Sequence, residues 1–333
     1  MATRFELVLH GDDPVAVRAA GEEALNEIER LEAELSLFRP GSEIAHLNAR
    51  AAREAVRVTP RLFSLLKRAA RLHRESGGAF DITIAPLVKC WGFMGGSGQL
   101  PEPEKLAEAR AKVGMNLVLF DEAALTIRFA REGVMLDLGA IGKGYAIECA
   151  AEVLREAGVM SALLHGGTST VYGLGHPPGA EAWTVALDSA PAPVRPRQTI
   201  VAPAGGEGEE HIWPVPGLNG NESSNRAPSV PVPLRDEALS VSAVWGKSFE
   251  TGGNTYGHVL DPRNGRPAEV AVLAAVILPS ATETDALSTA LLIRGKEGHA
   301  EIAQLRPGMR TFLAVEESGV ILMENTGRLA SGG

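Results

Sequence analysis

The segment 137–144 carries the residues best suited to binding phosphate. It reads Asp-Leu-Gly-Ala-Ile-Gly-Lys-Gly, between a predicted strand at 134–138 and a predicted helix at 145–157. The glycines allow a ligand to approach the backbone, the helix start offers unpaired amide donors, and Lys143 adds a positive charge. The glycine order matches neither the dinucleotide fingerprint nor the Walker sequence. An ordinary strand-to-helix turn without a ligand therefore remains the alternative.

A second segment, 283–289, places two oxygen-bearing side chains on one helix face. Asp285 and Thr289 are four residues apart in a predicted helix at 283–293, so their oxygens can converge. Magnesium prefers hard oxygen ligands and is commonly held by one or two carboxylates together with substrate phosphates. Alternatively, Thr284 or Asp285 only caps the helix. The spacing is compatible with a metal site but does not establish one.

A third segment, 256–267, contains a histidine and an aspartate at the end of a short strand and before a tight turn. The imidazole of His258 can accept a proton near neutral pH. Asp261 could orient that ring or bond the amides of its own turn. A histidine with a purely structural role is the alternative for this segment.

A fourth segment, 78–83, combines an aromatic side chain with two polar ones. Phe80 could offer a surface for a planar ligand, with Asp81 and Thr83 beside it. Phe80 could equally belong to the hydrophobic core. Taken alone, this segment does not choose between the two roles.

Predicted elements around these segments indicate a mixed α+β fold in layers, with sheets covered by helices. We expect residues 1–333 to form a single unit that contains an irregular Pro/Gly-rich insertion at 190–235. Hydrophobic periodicity predicts helices at 13–35 and 60–76 and an apolar strand after Glu269. Further strands are predicted at 4–9, 117–120, 126–129, 161–164, 239–242 and after Arg310.

Composition excludes several classes of protein. The chain has 333 residues, is 45% hydrophobic and carries a formal net charge of −9. That charge disfavours broad binding to nucleic acid or anionic lipid. The most apolar run, 270–278, is about half as long as a membrane-spanning helix requires. No secretory signal is evident at the N-terminus, so we expect a cytoplasmic protein without a membrane span.

Taken together and in this order, these segments resemble the FAD:protein FMN transferases, the ApbE family of flavin transferases. The resemblance covers most of the chain, and its most specific part lies in three segments. These are the glycine loop 137–144, the turn 258–267 and the helix segment 285–289. Shorter matches lie at 1–5, 35–38, 42–44, 47–48, 78–83 and 91–93.

This resemblance implies magnesium-dependent transfer of the FMN half of FAD to a Ser or Thr hydroxyl of an acceptor flavoprotein, with release of AMP. It implies that Asp137 and Lys143 contact FAD and that His258 is the catalytic base. Magnesium would be held by the Ala140 carbonyl, Asp285 and Thr289. The remaining residues that would enclose FAD are Phe38, Ala79, Phe80, Asp81 and Leu260.

The sequence also departs from the family pattern. Asn264 replaces the usual Thr in the His258 turn, Thr168 replaces the usual Asp after Gly166-Gly167, and His165 is atypical beside that pair. None of these positions is an expected metal ligand. Two other functions therefore remain open. One is an FAD pyrophosphatase that gives FMN and AMP, and the other is a flavin-binding protein without turnover.

Overall fold

The structure is a computed structural model. It describes residues 3–188, 199–203, 210–212, 229–244, 246–317 and 320–326.

Seven α-helices and sixteen strands are present among these residues. The helices are α1 Pro14–Leu35, α2 Glu43–Arg50, α3 Pro60–Glu75, α4 Ala85–Cys90, α5 Pro103–Arg110, α6 Gly142–Glu156 and α7 Ala281–Ala303. The first nine strands are β1 Phe5–His10, β2 Val56–Arg57, β3 Val118–Asp121, β4 Thr126–Phe129, β5 Ser161–Gly166, β6 Thr170–Leu174, β7 Trp183–Asp188, β8 Thr199–Pro203 and β9 Glu210–Ile212. The others are β10 Ser229–Leu234, β11 Glu237–Ala243, β12 Ser248–Thr251, β13 Asn254–Gly257, β14 Ala271–Leu278, β15 Arg310–Glu317 and β16 Val320–Thr326.

A seven-stranded antiparallel sheet forms the centre of the fold. Its order is β1-β5-β6-β11-β14-β15-β16, and a four-stranded sheet has the order β10-β7-β8-β9. Side chains alternate along β14, so Ala274 and Val276 pack in the core that contains α6 and α7, and Leu273 and Ile277 pack in a second core. That second core contains Trp183 of β7. Because both faces of β14 are buried, its sequence is continuously apolar. The predicted mixed α+β fold is confirmed.

Helix α7 is longer than predicted. Ser280 caps its start by accepting a hydrogen bond from the Glu283 amide at 3.1 Å. The predicted end at residue 293 is partly correct, because Gly295, two residues later, leaves the helical conformation with φ 57° and ψ −153°. The chain then resumes a helix to Ala303 instead of ending there. A glycine can adopt this positive φ without steric strain, so it kinks the element.

The predicted strand at 134–138 is wrong, since these residues pair with none of the strands that the structure describes. The side chain of Asn48 makes the backbone hydrogen bonds here that a neighbouring strand would otherwise make. Its Oδ1 accepts from the Leu136 amide at 2.7 Å, and its Nδ2 donates to the Leu136 carbonyl at 3.0 Å. The Asp137 amide donates to the Ile82 carbonyl at 2.7 Å. These bonds satisfy the backbone without a sheet and fix the approach to the glycine loop.

Three described parts of the range 190–235 are strands, namely β8, β9 and β10. They join β7 in the four-stranded sheet, so these parts are not irregular as predicted. The rest of the predicted insertion up to residue 228 lies outside the described residues. None of the helices in the described part of the chain has the length and apolar character needed to cross a membrane.

Candidate functional site

A cavity of about 600 Å³ lies where the seven-stranded sheet, α6 and α7 meet the turn after β13. This volume falls in the range of small-molecule sites. The cavity brings together all the residues that the sequence singled out as site candidates. They are Phe38, Ala79, Phe80, Asp81, Asp137, Ala140, Lys143, His258, Leu260, Asp285 and Thr289.

Helices α6 and α7 meet closely at Gly144. A Cβ atom on this residue would lie 2.1 Å from the Ala281 carbonyl oxygen, so no other residue type fits without movement. The Gly144 amide donates to Oδ2 of Asp285 at 3.0 Å. Asp285 is only 4% exposed. The third glycine of the loop therefore positions the carboxylate of the second predicted segment.

Several oxygens around Asp285 have the chemistry of magnesium ligands. Thr289 Oγ1 lies 3.1 Å from Ser242 Oγ and one helical turn after Asp285. In a regular helix the Gly144 amide would donate to the Ala140 carbonyl, four residues earlier. Here it donates to Asp285 instead. Within the described part of the chain, no backbone amide donates to the Ala140 carbonyl oxygen. One carboxylate with neutral oxygens fits a magnesium ion that also binds substrate phosphates.

No cluster of three or more His, Cys, Asp or Glu side chains suited to a metal occurs among the described residues. A metal in this cavity would therefore be held by one or two carboxylates together with neutral oxygens and groups of the substrate. Such a site leaves coordination positions free for water or substrate oxygens, because protein ligands alone do not fill the coordination shell.

Lys143 and Asp137 lie on the glycine loop at the cavity. Lys143 Nζ donates to the Gly139 carbonyl at 3.2 Å and lies 3.7 Å from Asp285 Oδ1. Asp137 Oδ1 accepts from the Gly139 amide at 2.8 Å. Burial raises the pKa of Asp137, while the Gly139 hydrogen bond and the charge of Lys143 oppose that rise. Both residues line the cavity.

His258 is held in one orientation by the backbone of the preceding loop. Its Nδ1 lies 3.1 Å from the Lys247 carbonyl oxygen, and its own amide donates to the same oxygen at 3.0 Å. Because a carbonyl only accepts, Nδ1 carries the proton and the lone pair of the neutral ring is on Nε2. Burial lowers the pKa of His258, the hydrogen bond to the Lys247 carbonyl opposes this, and the charges of Lys247 and Lys143 lower the pKa further, so that it lies below the ordinary value. The ring is therefore neutral at pH 7 and able to accept a proton.

Asp261 bonds its own turn and does not contact His258. Its carboxylate accepts a bidentate pair from Arg263 at 2.8 and 2.7 Å and the Arg263 amide at 2.9 Å. Asn264 reaches the same carboxylate at 3.4 Å. Of the two roles left open by the sequence, the turn-forming role is the one observed. The substitution at Asn264 thus lies within the turn scaffold.

The segment 78–83 meets the cavity with limited side-chain surface. Phe80 is 1% exposed and packs in the main core, which is the alternative that the sequence left open. The Asp81 carboxylate is fully engaged, since Oδ1 accepts from Thr83 at 2.7 and 2.6 Å and Oδ2 lies 3.1 Å from His73 Nδ1. Phe38, by contrast, is 73% exposed at the cavity. Because the side chains of Phe80 and Asp81 are engaged within the protein, ligand contacts from residues 78–83 would use backbone atoms.

Sequence reasoning missed two cavity residues with clear roles. Ser242 bridges to Thr289 and Ser288, and Lys247 holds and electrostatically influences His258. Alternation along the predicted strand at 239–242 could have indicated that Ser242 faces a buried helix. No signal in the sequence indicates the contact between Lys247 and His258, because it depends on the pairing of β12 with β13.

The chain is similar to known proteins in sequence and in fold. The ApbE family model matches residues 1–313. An FAD:protein FMN transferase of Treponema pallidum is 30% identical over 300 residues, covering 88% of this chain and 76% of the relative. One from Vibrio cholerae is 25% identical over 282 residues, covering 83% of this chain and 74% of the relative.

Solved structures show the same fold. The apo form of the Pseudomonas stutzeri flavinyl transferase ApbE superposes with a TM-score of 0.76 at 25% identity, covering 97% of this chain and 95% of that one. The ApbE protein of Thermotoga maritima superposes with a TM-score of 0.74 at 22% identity, covering 96% of each chain. The similarity in sequence and in fold extends over nearly the whole chain, which therefore belongs to the ApbE family.

Proposed function

We propose that this enzyme is an FAD:protein FMN transferase that uses magnesium to move the FMN half of FAD onto a Ser or Thr hydroxyl of an acceptor flavoprotein. The observation that carries the proposal is one cavity lined by a neutral histidine, a lysine beside a glycine loop and an Asp-Thr pair. Curated relatives that bear the FAD:protein FMN transferase name support it.

His258 is the proposed base of the transfer. Nε2 takes the proton of the acceptor hydroxyl, and the hydroxyl oxygen forms a bond to the FMN-side phosphorus. The bond between that phosphorus and the bridging oxygen breaks, and the bridging oxygen leaves with AMP. The hydrogen bond from Nδ1 to the Lys247 carbonyl presents the correct nitrogen before substrate binds.

The pyrophosphate of FAD is expected beside Lys143, Asp285 and Thr289. Asp285, Thr289 and the Ala140 carbonyl are the proposed ligands of a magnesium ion, which would neutralise charge on the pyrophosphate oxygens. Lys143 supplies a second positive charge. The unpaired amides expected at the start of α6 are mostly used within the protein, since those of Gly142, Gly144 and Tyr145 donate to Leu138, Asp285 and Ile141. Positioning and charge neutralisation therefore account for most of the proposed catalysis.

The proposal is tested by mass spectrometry of the purified enzyme incubated with FAD, magnesium and a candidate acceptor protein from the same cell. We expect a magnesium-dependent gain of one FMN group on the acceptor together with an equal amount of AMP. Controls are a sample with EDTA and an acceptor whose target Ser or Thr is replaced by Ala.

Other outcomes of this experiment would identify one of the two alternative functions. Free FMN and AMP without labelled acceptor would identify an FAD pyrophosphatase. Tight FAD binding with intact FAD in the presence of several acceptors would identify a flavin-binding protein. The His258→Gln variant separates these cases further, because loss of the base should slow transfer while FAD binding is retained.

A further inference from the structure

Glu148 joins α6 to the first turn of α7 at a point outside the residues assigned to FAD or magnesium. It follows Gly144 by four residues on α6, so both lie on one helix face, one turn apart. Gly144 bonds Asp285, and Glu148 Oε2 accepts from the Thr282 amide at 2.9 Å and from Ser280 Oγ at 2.7 Å. Helix α7 is thus bound to α6 at two successive points.

The contacts of Glu148 act on the part of α7 that presents Asp285. Thr282 lies three residues before Asp285, and its amide is one of the donors that a helix start leaves without an intrahelical partner. A carboxylate at this position satisfies that donor and interacts favourably with the positive end of the helix dipole. Movement of this turn relative to α6 would displace the Asp285 carboxylate from Gly144.

Arg68 of α3 holds Glu148 in this arrangement. Its Nη1 donates to Glu148 Oε1 at 2.6 Å, and its Nη2 donates to Ser280 Oγ. Burial alone would raise the pKa of Glu148, but the hydrogen bond and charge of Arg68 hold it below the ordinary value. The carboxylate therefore remains ionised at neutral pH and keeps all its acceptor positions.

From these contacts we propose that Glu148 is a positioning residue for the metal-binding face of α7. It sets the distance of Asp285 and Thr289 from the glycine loop and touches neither substrate nor metal. This inference rests on the proposed function, since it assumes that Asp285 and Thr289 hold magnesium. Partners bonded directly to a metal ligand commonly affect metal affinity about 10- to 100-fold, and Glu148 acts one contact further out, through the first turn of α7.

The test compares Glu148→Ala, Glu148→Gln and the control Glu152→Gln. Glu152 lies one turn further along α6 and is exposed, so its variant removes a charge from the same helix without touching α7. Manganese binding to the FAD-loaded enzyme is measured by electron paramagnetic resonance. Transfer is measured as a function of magnesium concentration, and folding is followed by thermal unfolding.

We expect Glu148→Ala to weaken manganese binding by up to about 10-fold, the lower end of the effect of a direct partner of a metal ligand. The magnesium requirement of transfer should rise by a similar factor, with kcat recovered at saturating magnesium and FAD affinity retained. Glu148→Gln should be intermediate, because its amide oxygen still accepts from Thr282. Glu152→Gln should match the wild type.

Two results would overturn the inference. If Glu148→Ala and Glu148→Gln bind manganese as tightly as the wild type, Glu148 does not position the ligands. If Glu148→Ala is unfolded, Glu148→Gln decides in the same way. A wild-type enzyme that binds no manganese would instead remove the metal part of the proposed function, and this inference with it.

Discussion

The amide of Gly144 donates a 3.0 Å hydrogen bond to the carboxylate of Asp285, which lies 141 residues later in the chain. This bond joins the glycine loop to the helix that carries the predicted metal ligands. It needs a residue without a side chain, because the backbone of α7 lies against Gly144. The geometry of the cavity therefore depends on the contact between α6 and α7.

A methyl group at Gly144 should separate these two helices. We expect Gly144→Ala to be destabilised by about 1–3 kcal/mol, as is usual for overpacked cores, and to lose magnesium-dependent activity. Gly142→Ala is the matched control for folding, because its nearest neighbour to a new Cβ is 3.8 Å away. Urea denaturation of both variants measures the difference. Equal stability of the two variants would contradict the packing argument.

Asp285 should determine the magnesium requirement. We expect Asp285→Asn to raise the magnesium concentration for half-maximal transfer by more than the roughly 10- to 100-fold that is typical of outer partners. Thr289→Val should have a smaller effect in the same direction. Thr289→Ser retains a hydroxyl and should remain close to the wild type. Magnesium titrations at saturating FAD provide the measurement, and an unchanged requirement in Asp285→Asn would exclude this carboxylate as a ligand.

The rate of transfer should fall in acid as His258 becomes protonated. Since burial lowers the pKa of His258, the acid limb of kcat/KM should lie below the ordinary histidine value of 6.5. Above pH 6.5 the titration of His258 should no longer change kcat/KM. His258→Gln should reduce the rate by about 10²- to 10⁴-fold and abolish the limb. A limb that persists in the variant would assign it to another group.

The charge of Lys247 should affect the pH at which the acid limb of kcat/KM lies. Lys247 lowers the pKa of His258 electrostatically, while its backbone carbonyl holds the ring. Lys247→Met removes the charge and keeps the carbonyl, so the acid limb should move to higher pH. Lys247→Arg keeps the charge and serves as the control. A comparison of the three pH profiles tests this effect, and coincident profiles for the wild type and Lys247→Met would contradict it.

His73 should make the stability of the protein depend on pH. Burial opposes its charge, but the hydrogen bond to Asp81, the charge of Asp81 and the Phe80 carbonyl raise its pKa above 6.5. The folded state therefore binds this proton more tightly than the unfolded state. The resulting stabilisation is fully present below pH 6.5 and is lost as pH rises through the raised pKa.

His73→Gln should remove this dependence. Urea midpoints measured between pH 5.5 and 8.5 should fall less steeply in the variant than in the wild type. Parallel curves for the two proteins would show that the pair of His73 and Asp81 does not titrate in this window. Among the described residues, the carboxylate of Asp81 is otherwise bonded only to Thr83 of its own segment, so the comparison isolates this pair.

Local patterns in the sequence predicted relations within single elements. The spacing of Asp285 and Thr289 placed both on one face of a helix, and the structure shows one helical turn between them at the cavity. Apolar periodicity also predicted α1, α3 and β14 close to their observed bounds. These relations depend on the local geometry of a helix or strand, so neighbouring residues suffice to predict them.

The sequence by itself determined the mixed α+β fold class, the ApbE resemblance and eleven of the residues that line the cavity. Tertiary structure decided which atoms of those residues are free. In the folded chain, the Asp81 carboxylate lies beside His73, and the Asp261 carboxylate accepts hydrogen bonds within its own turn. The Lys247 carbonyl accepts a hydrogen bond from His258. Such contacts follow from the packing of separate elements, where a shift of about 1 Å can make or break a hydrogen bond. Short-range periodicity carries no information at that precision, which is why the bond from Gly144 to Asp285 appears only in the fold.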